Sequence, residues 1–139
     1  MYDAGRLLHD CQARGLPIGA FERRNPVVLH APLGAALARE RFGVDDPAVL
    51  SAIAKHTVAA PDMSRLDQIL YLADGLEPGR GFPERAALEV LAFKDLAAAM
   101  DAALRASLAY LRARNLEAAP ATLAALRSFE ARERRLLPA

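Results

Sequence analysis

The stretch KDLAAAMDAALRASLAYLRARN, residues 94–115, decides the fold class of this 139-residue chain. Its larger apolar residues recur every three or four positions, a spacing that places them on one face of an α-helix. Ala and Leu supply most of the apolar content, and few β-branched residues are available to build a sheet. We therefore predict an all-α fold in which this segment forms core or a subunit interface. The residues that form the stripe are Leu96, Met100, Leu104, Leu108 and Leu111.

Prolines and glycines divide the rest of the chain into further predicted helices. The first is predicted from Tyr2 to about Gly15, and residues 17–24 form a short helix or loop. A longer helix begins near Pro32 and stops at Gly43. Short connections and the lack of an internal boundary predict one domain, residues 1–139, of seven or eight helices. The remaining helices are predicted after Asp46 as a cap, after a Ser64–Asp67 capping box, from Pro83, from about Lys94 and after Pro120.

Composition and charge argue against several functional classes. Lys and Arg number 18 against 17 Asp and Glu, so no charge excess predicts binding to nucleic acid. The single cysteine, Cys11, cannot form an internal disulfide and fits a reducing compartment. No apolar run approaches the roughly 20 residues that cross a bilayer, and the first residues lack a signal-peptide pattern. We expect a cytoplasmic protein that does not bind membranes.

The three histidines of the chain, His9, His30 and His56, all lie beside apolar residues on or near different predicted helices. A lone histidine on an apolar face is more often a hydrogen-bonded core residue than a ligand. Three of them are harder to explain in that way, because each buried imidazole would need its own partner. A shared metal ion would satisfy all three, and iron, manganese or zinc suits imidazole and carboxylate ligands.

Two carboxylates could complete such a site. Asp10 directly follows His9, about 100° further around the helix, so the two side chains can flank one ion. Asp74 shares a helical face with Leu70, so we expect it to turn toward the interior. Alternatively, Asp74 is a helix-end carboxylate paired with Arg80. The other aspartates considered, Asp45, Asp46, Asp62 and Asp67, are better explained as caps and turns.

Other kinds of site are disfavoured. The glycines are scattered, and GLEPGRG, residues 75–81, follows a helix and not a strand, so no phosphate loop is predicted. Cys11 could be a nucleophile, but a small buried hydrophobe is the preferred interpretation. The segment RSFEARERR, residues 127–135, is interpreted as a solvated helical face, with nucleic-acid contact as the alternative.

The order His-Asp, His, His, Asp on successive helices resembles that of the HD-domain metal-dependent phosphohydrolases. The segments LLHD, VVLHAPLGAALA, residues 53–80 and LAFKDLAAAM are similar to the YqeK-type branch, the symmetrical bis(5′-nucleosyl)-tetraphosphatases. The resemblance covers nearly the whole chain. Its most specific block runs from the His56-Thr57 pair through LYLAD to EPGR. It implies a single HD-type helical bundle.

This resemblance implies a site for two divalent ions, usually iron in this branch. His9, Asp10 and Asp74 would hold one ion, and Asp10 would bridge to a second ion held by His30 and His56. The implied reaction is the hydrolysis of diadenosine tetraphosphate to two ADP by a metal-activated water, with Asp10 as the central catalytic residue. The candidates for holding substrate phosphates are Lys55, Thr57 and Arg80, with surface or capping roles as the alternative.

The chain also departs from the family. Relatives carry a further metal-binding histidine upstream, whereas the eight residues before His9 include none. We therefore expect a chain that is N-terminally short, with an incomplete first ion site and impaired activity. The missing helix would uncover a Leu7/Leu8 face, which association into a homo-oligomer would cover.

The segment HTVAAPDM, residues 56–63, is a second departure, since relatives commonly carry Gly and basic residues after the Thr. This difference puts the grip on substrate phosphates in question. Two alternatives follow from the departures: an HD hydrolase of another nucleotide, and a non-catalytic nucleotide-binding or interaction domain with an incomplete metal site.

Overall fold

The computed structural model describes residues 3–136, and all regular structure in that range is helical. This confirms the predicted all-α fold of seven or eight helices. The predicted start at Tyr2 and the end of the last helix at Leu137 lie outside the described range. The elements are α1 Ala4–Ala13, α2 Ala20–Arg24, a 3₁₀ helix Pro26–Leu29, α3 His30–Phe42, α4 Pro47–Lys55, α5 Arg65–Gly75, α6 Arg85–Lys94, α7 Leu96–Ala113 and α8 Pro120–Leu136.

Local chemistry sets the helix ends much as the sequence predicts. The Asp46 carboxylate accepts a hydrogen bond from the Ala48 N–H at 2.8 Å and so caps α4. Ser64 and Asp67 form the predicted capping box at the start of α5. Gly43 ends α3 in the left-handed conformation, at a φ of 64°. The helix predicted from Pro83 begins slightly later, at Arg85.

The interior contains two hydrophobic clusters. In the larger one, the predicted stripe of α7 packs against α5, α6 and α8, and Met100 and Leu104 are fully buried. In the smaller one, α1 packs against the 3₁₀ helix and the start of α3. Because α3 packs on α4 and α4 on α5, these three helices join the two clusters. The start of α3 and the end of α4 thus meet between them.

The expectation of an uncovered Leu7/Leu8 face is wrong. Leu7 is only 5% exposed, and it packs with Leu29 and Leu33. Leu8 is half-buried against the same cluster. The smaller cluster is therefore closed by residues of the chain itself, and self-association remains a prediction without this support. Among residues 3–136, no helix is both long and apolar enough to span a membrane.

The two glycines at the ends of α3 and α5 make a matched test of backbone conformation. Gly43→Ala should destabilise the fold by about 1–2 kcal/mol, because a Cβ disfavours the left-handed conformation. Gly75→Ala should be neutral or stabilising by about 0.5 kcal/mol, since this helical position has open space around it. Urea denaturation measures both free energies of unfolding. Equal effects of the two substitutions on the free energy of unfolding would contradict the left-handed conformation of Gly43 and the helical conformation of Gly75.

Candidate metal centre

Two of the predicted ligands face each other where α3 begins and α4 ends. His30 is the first residue of α3, and His56 follows the last residue of α4. Their Nε2 atoms lie 3.2 Å apart, although the residues are 26 positions apart in sequence. The ring planes are inclined at 66°, with their centroids 5.1 Å apart. The packing of α3 on α4 therefore brings two imidazoles edge to edge.

Backbone carbonyls determine the protonation of both rings. His30 Nδ1 lies 2.6 Å from the Val27 carbonyl oxygen, and His56 Nδ1 lies 2.6 Å from the Ile53 carbonyl oxygen. A carbonyl oxygen can only accept a hydrogen bond, so each Nδ1 must carry the proton. In a neutral ring the other nitrogen, Nε2, then bears a lone pair. The two Nε2 atoms, each with a lone pair, lie 3.2 Å apart.

Two Nε2 lone pairs this close repel each other unless a hydrogen-bond donor or a cation lies beside them. A cation bound by both nitrogens would remove this repulsion. An ion about 2.1 Å from each nitrogen would fit a separation of this size at an angle near 100°. A ring whose Nδ1 donates to a backbone carbonyl is also the usual arrangement of a metal-binding histidine. The donor set therefore suits a divalent metal ion.

Thr57 belongs to the same cluster. Its Oγ1 lies 3.0 Å from His30 Nε2. Because that nitrogen is an acceptor in the neutral ring, the hydroxyl donates to it. Any ion that takes the lone pair of His30 would free the hydroxyl of Thr57 for another acceptor.

Lys55, predicted to hold phosphate, forms an ion pair inside the protein. Its Nζ lies 2.8 Å from Oδ2 of Asp67, whose residue exposure is 0%. Burial acts to raise the pKa of the Asp67 carboxyl. Hydrogen bonds from Lys55, from the Ser64 backbone N–H and from Ser51 outweigh burial and hold the pKa below its usual value. The pair connects the end of α4 to the first turn of α5.

The other predicted ligands do not join the histidine pair. His9 is exposed on α1. The Asp10 carboxylate lies 3.8 Å from Arg6 Nε. Asp74 is paired with Arg80 at 3.0 Å, which is the alternative considered for it. Among the described residues, no three or more His, Cys, Asp or Glu side chains come together as a set that could hold a metal ion.

Burial differs from the sequence-based expectation at these positions. None of the three histidines lies in the core: His9 and His30 are exposed, and His56 is half-buried. The Asp74 side chain is 42% exposed and does not turn into the interior. The cause is helix geometry: on α1 the buried face carries Leu7 and Cys11, and position 9 falls on the opposite side.

Cys11 is an unsuitable nucleophile. The residue is completely buried beside α3, and burial is the main cause that raises the pKa of its thiol. The charge of Asp10 adds to this effect, and that of Arg14 opposes it. A protonated thiol without access to solvent is consistent with the role of a small core residue.

Two features of the site escape sequence reasoning. The carbonyls of Val27 and Ile53 that fix the ring tautomers lie three residues before each histidine, where any residue would supply the same group. Asp67 is recognisable as a cap from the Ser64 spacing, but nothing in the sequence reveals its burial or its partner. Lys55 lies 12 positions away, across an irregular turn.

Comparisons with known proteins bear on the family of the chain. The HD domain family model matches residues 4–79. The symmetrical bis(5′-nucleosyl)-tetraphosphatase of Halalkalibacterium halodurans is 41% identical over 97 residues, which cover 70% of this chain and 52% of the relative. The enzyme of the same name from Bacillus subtilis is 37% identical over 98 residues, 70% of this chain and 53% of its own length.

A solved structure shares the fold. The crystal structure of a predicted HD superfamily hydrolase involved in NAD metabolism from Clostridium acetobutylicum superposes with a TM-score of 0.90 at 31% identity. The match covers 94% of this chain and 69% of that one. The chain spans about half the length of the curated relatives it matches.

Breaking the buried ion pair should reveal its contribution to stability. We expect Lys55→Met to lower the free energy of unfolding by about 3 kcal/mol at pH 7, because it leaves the buried Asp67 carboxylate without a cation. Urea denaturation measures the loss. The control is Arg24→Met, which removes an exposed pair with Glu117 and should change stability little.

The same comparison has a defined pH dependence. Folding lowers the pKa of Asp67, so its ionised carboxylate stabilises the fold at pH values above the unfolded pKa of about 3.9. This stabilisation is lost as the pH falls through the folded pKa. The stability difference between the unchanged protein and Lys55→Met should therefore shrink below about pH 4. A difference that stays constant down to pH 2.5 would contradict the pairing of Lys55 with an ionised Asp67.

Proposed function

The chain belongs to the HD-domain family, and we propose that it is a metal-dependent phosphohydrolase that cleaves diadenosine tetraphosphate into two molecules of ADP. The observation that carries the proposal is the pair of Nε2 atoms of His30 and His56, which lie close enough to bind one cation. Hydrolases of this family use divalent metal ions. The relatives named as symmetrical bis(5′-nucleosyl)-tetraphosphatases support the choice of substrate.

The proposed ligands fall into two groups. His30 and His56 would hold one ion through Nε2, while each Nδ1 keeps its proton and donates it to the carbonyl of Val27 or Ile53. His9, Asp10 and Asp74 hold the other ion, with Asp10 shared between the two. For this to happen, the Asp10 and Asp74 carboxylates exchange the guanidinium groups of Arg6 and Arg80 for a metal cation. Iron is the proposed metal, with manganese or zinc as alternatives.

The bound ions would lower the pKa of a coordinated water and stabilise negative charge on the phosphoryl oxygens. Thr57 donates to His30 Nε2 only while that nitrogen has a free lone pair. Once the lone pair is taken, the hydroxyl needs another acceptor, and a phosphate oxygen of the substrate is the proposed one. Arg80, once released by Asp74, is the second proposed phosphate contact.

Lys55 is a weaker candidate for phosphate binding than Thr57 or Arg80. Its Nζ is only partly accessible, with 29% of the side chain exposed, and it neutralises the buried carboxylate of Asp67. Moving it to a substrate would leave that carboxylate unpaired in the interior. We therefore propose a supporting role for Lys55.

A reducing cytoplasm is the proposed location, as the single, buried Cys11 suggests.

A non-catalytic nucleotide-binding domain is the second candidate function. It is favoured by one observation, namely that only two of the five proposed ligands converge in the part of the chain described here. Such a domain would bind the dinucleotide without turning it over, whether or not metal is supplied.

The test is hydrolysis of diadenosine tetraphosphate by protein loaded with Fe²⁺ or Mn²⁺, followed by chromatography of the products. ADP should be the sole product, and Asp10→Asn should lower the rate at least about 1000-fold, because it removes the shared carboxylate. Asp45→Asn, which changes an exposed carboxylate beside Arg39, is the matched control and should keep full activity. ATP and AMP as products would reject the symmetrical cleavage, and tight binding without turnover would favour the second candidate.

A further inference from the structure

A buried threonine of the last helix contacts the segment that carries the candidate metal centre. Thr122 lies in the first turn of α8 and is 5% exposed. Its Oγ1 is 2.7 Å from the carbonyl oxygen of Val58, a residue 64 positions earlier. Because a carbonyl only accepts, the hydroxyl donates this hydrogen bond. Val58 directly follows His56 and Thr57, both members of the site.

The contacted segment contains a residue with an unfavourable backbone conformation. After α4 the chain turns through residues 56–58, and the Ala59 N–H bonds back to the Lys55 carbonyl at 3.0 Å. Ala59 has a φ of 61°, the left-handed conformation that residues other than glycine rarely adopt. This conformation costs such a residue free energy, so contacts with other parts of the chain help to hold the turn and with it the position of His56.

Two polar contacts connect this turn to other helices. Just before the turn, Lys55 forms an ion pair with Asp67 of α5. At its last residue, the Val58 carbonyl accepts a hydrogen bond from Thr122. The second contact comes from α8, outside residues 4–79 that match the family model. The last helix thus contacts the segment next to the candidate site through a hydroxyl, besides the packing of Ala125 and Phe129 in the cluster that contains Ala59.

We propose that Thr122 is a positioning residue for the metal centre: its hydrogen bond to Val58 fixes the turn that presents His56 and Thr57 to His30. The inference rests on the proposed binding of metal by the two histidines. The two Nε2 atoms must be held a few ångströms apart to share an ion, so a shift of the turn would misplace one of them. Loss of a hydrogen bond that orients a ligand side chain typically weakens metal affinity about 10-fold to 100-fold, and a contact with the backbone two residues after His56 should have an effect at the lower end of this range.

The test compares Thr122→Val, which keeps the shape and removes the hydroxyl, with Thr122→Ser, which keeps the hydroxyl. Zn²⁺ affinity is measured by competition with a chromogenic chelator, and hydrogen exchange of the Ala59 amide is measured without metal. Thr122→Val should bind Zn²⁺ at least about 10-fold more weakly and exchange the Ala59 amide faster. Thr122→Ser should match the unchanged protein in both measurements.

Ser128→Ala is the matched control on the same helix. Ser128 Oγ accepts a long bond of 3.5 Å from the Asp62 N–H, further along the same connection, so its loss should leave Zn²⁺ affinity unchanged. Zinc binding by Thr122→Val equal to that of the unchanged protein, with only a lower melting temperature, would overturn the inference and leave the metal site intact. Failure of the unchanged protein to bind Zn²⁺ would instead reject the metal site, and this inference with it.

If Thr122→Val proves too unstable to titrate, Thr122→Ser decides the question. A 10-fold loss of Zn²⁺ affinity in Thr122→Ser would show that the hydroxyl is not what positions the turn, and would overturn the inference. Affinity equal to that of the unchanged protein would support it, since only the methyl group has been removed.

Discussion

The Nε2 lone pairs of two neutral imidazoles repel each other at a separation of 3.2 Å unless a hydrogen-bond donor or a cation lies beside them. The carbonyls of Val27 and Ile53 fix the Nδ1 protons and leave the two Nε2 lone pairs opposed. This constraint links the fold to the proposed chemistry, because the two histidines lie at helix ends that pack against each other. A divalent cation bound by both nitrogens, as proposed, would relieve this repulsion.

Helix caps, a buried ion pair and helix packing stabilise the positions of the two histidines. Asp46 caps α4, Ser64 and Asp67 cap α5, and the buried Lys55–Asp67 pair connects the two helices across the turn that carries His56. A buried carboxylate is costly unless it is paired, so this connection strongly favours one geometry of the turn. Helices α3 to α5, which carry the site, also join the two hydrophobic clusters. The candidate metal centre therefore lies among helices that pack against one another.

The sequence predicted the features that depend on local periodicity and spacing. The Leu/Met stripe of α7 lies in the core because residues three and four apart share a helical face, and Met100 and Leu104 are fully buried. The Asp46 cap and the left-handed Gly43 follow from local chemistry in the same way. The pairing of His30 with His56 was predicted through the resemblance to a family, since their spacing of 26 residues carries no periodic signal.

Features that depend on tertiary packing escaped prediction. The Lys55–Asp67 pair spans a connection that contains a left-handed Ala59, a conformation that no residue-type rule suggests. The surface position of Asp74 reflects its pairing with Arg80, a choice between two partners that spacing alone left open. Leu7 was expected to be uncovered, yet it is buried, because Leu29 and Leu33 of neighbouring elements cover it. Each of these outcomes depends on which elements meet, and this information is not local.

The central claim is that the opposed Nε2 atoms of His30 and His56 share a metal ion. Crystals of the protein grown with Mn²⁺ and measured for anomalous scattering test it most directly. The account predicts an anomalous peak about 2.0–2.3 Å from both Nε2 atoms, bridging the two rings. A structure in which Mn²⁺ binds elsewhere, while the two nitrogens stay in direct contact, would show that a shared proton holds the rings together and would contradict the account.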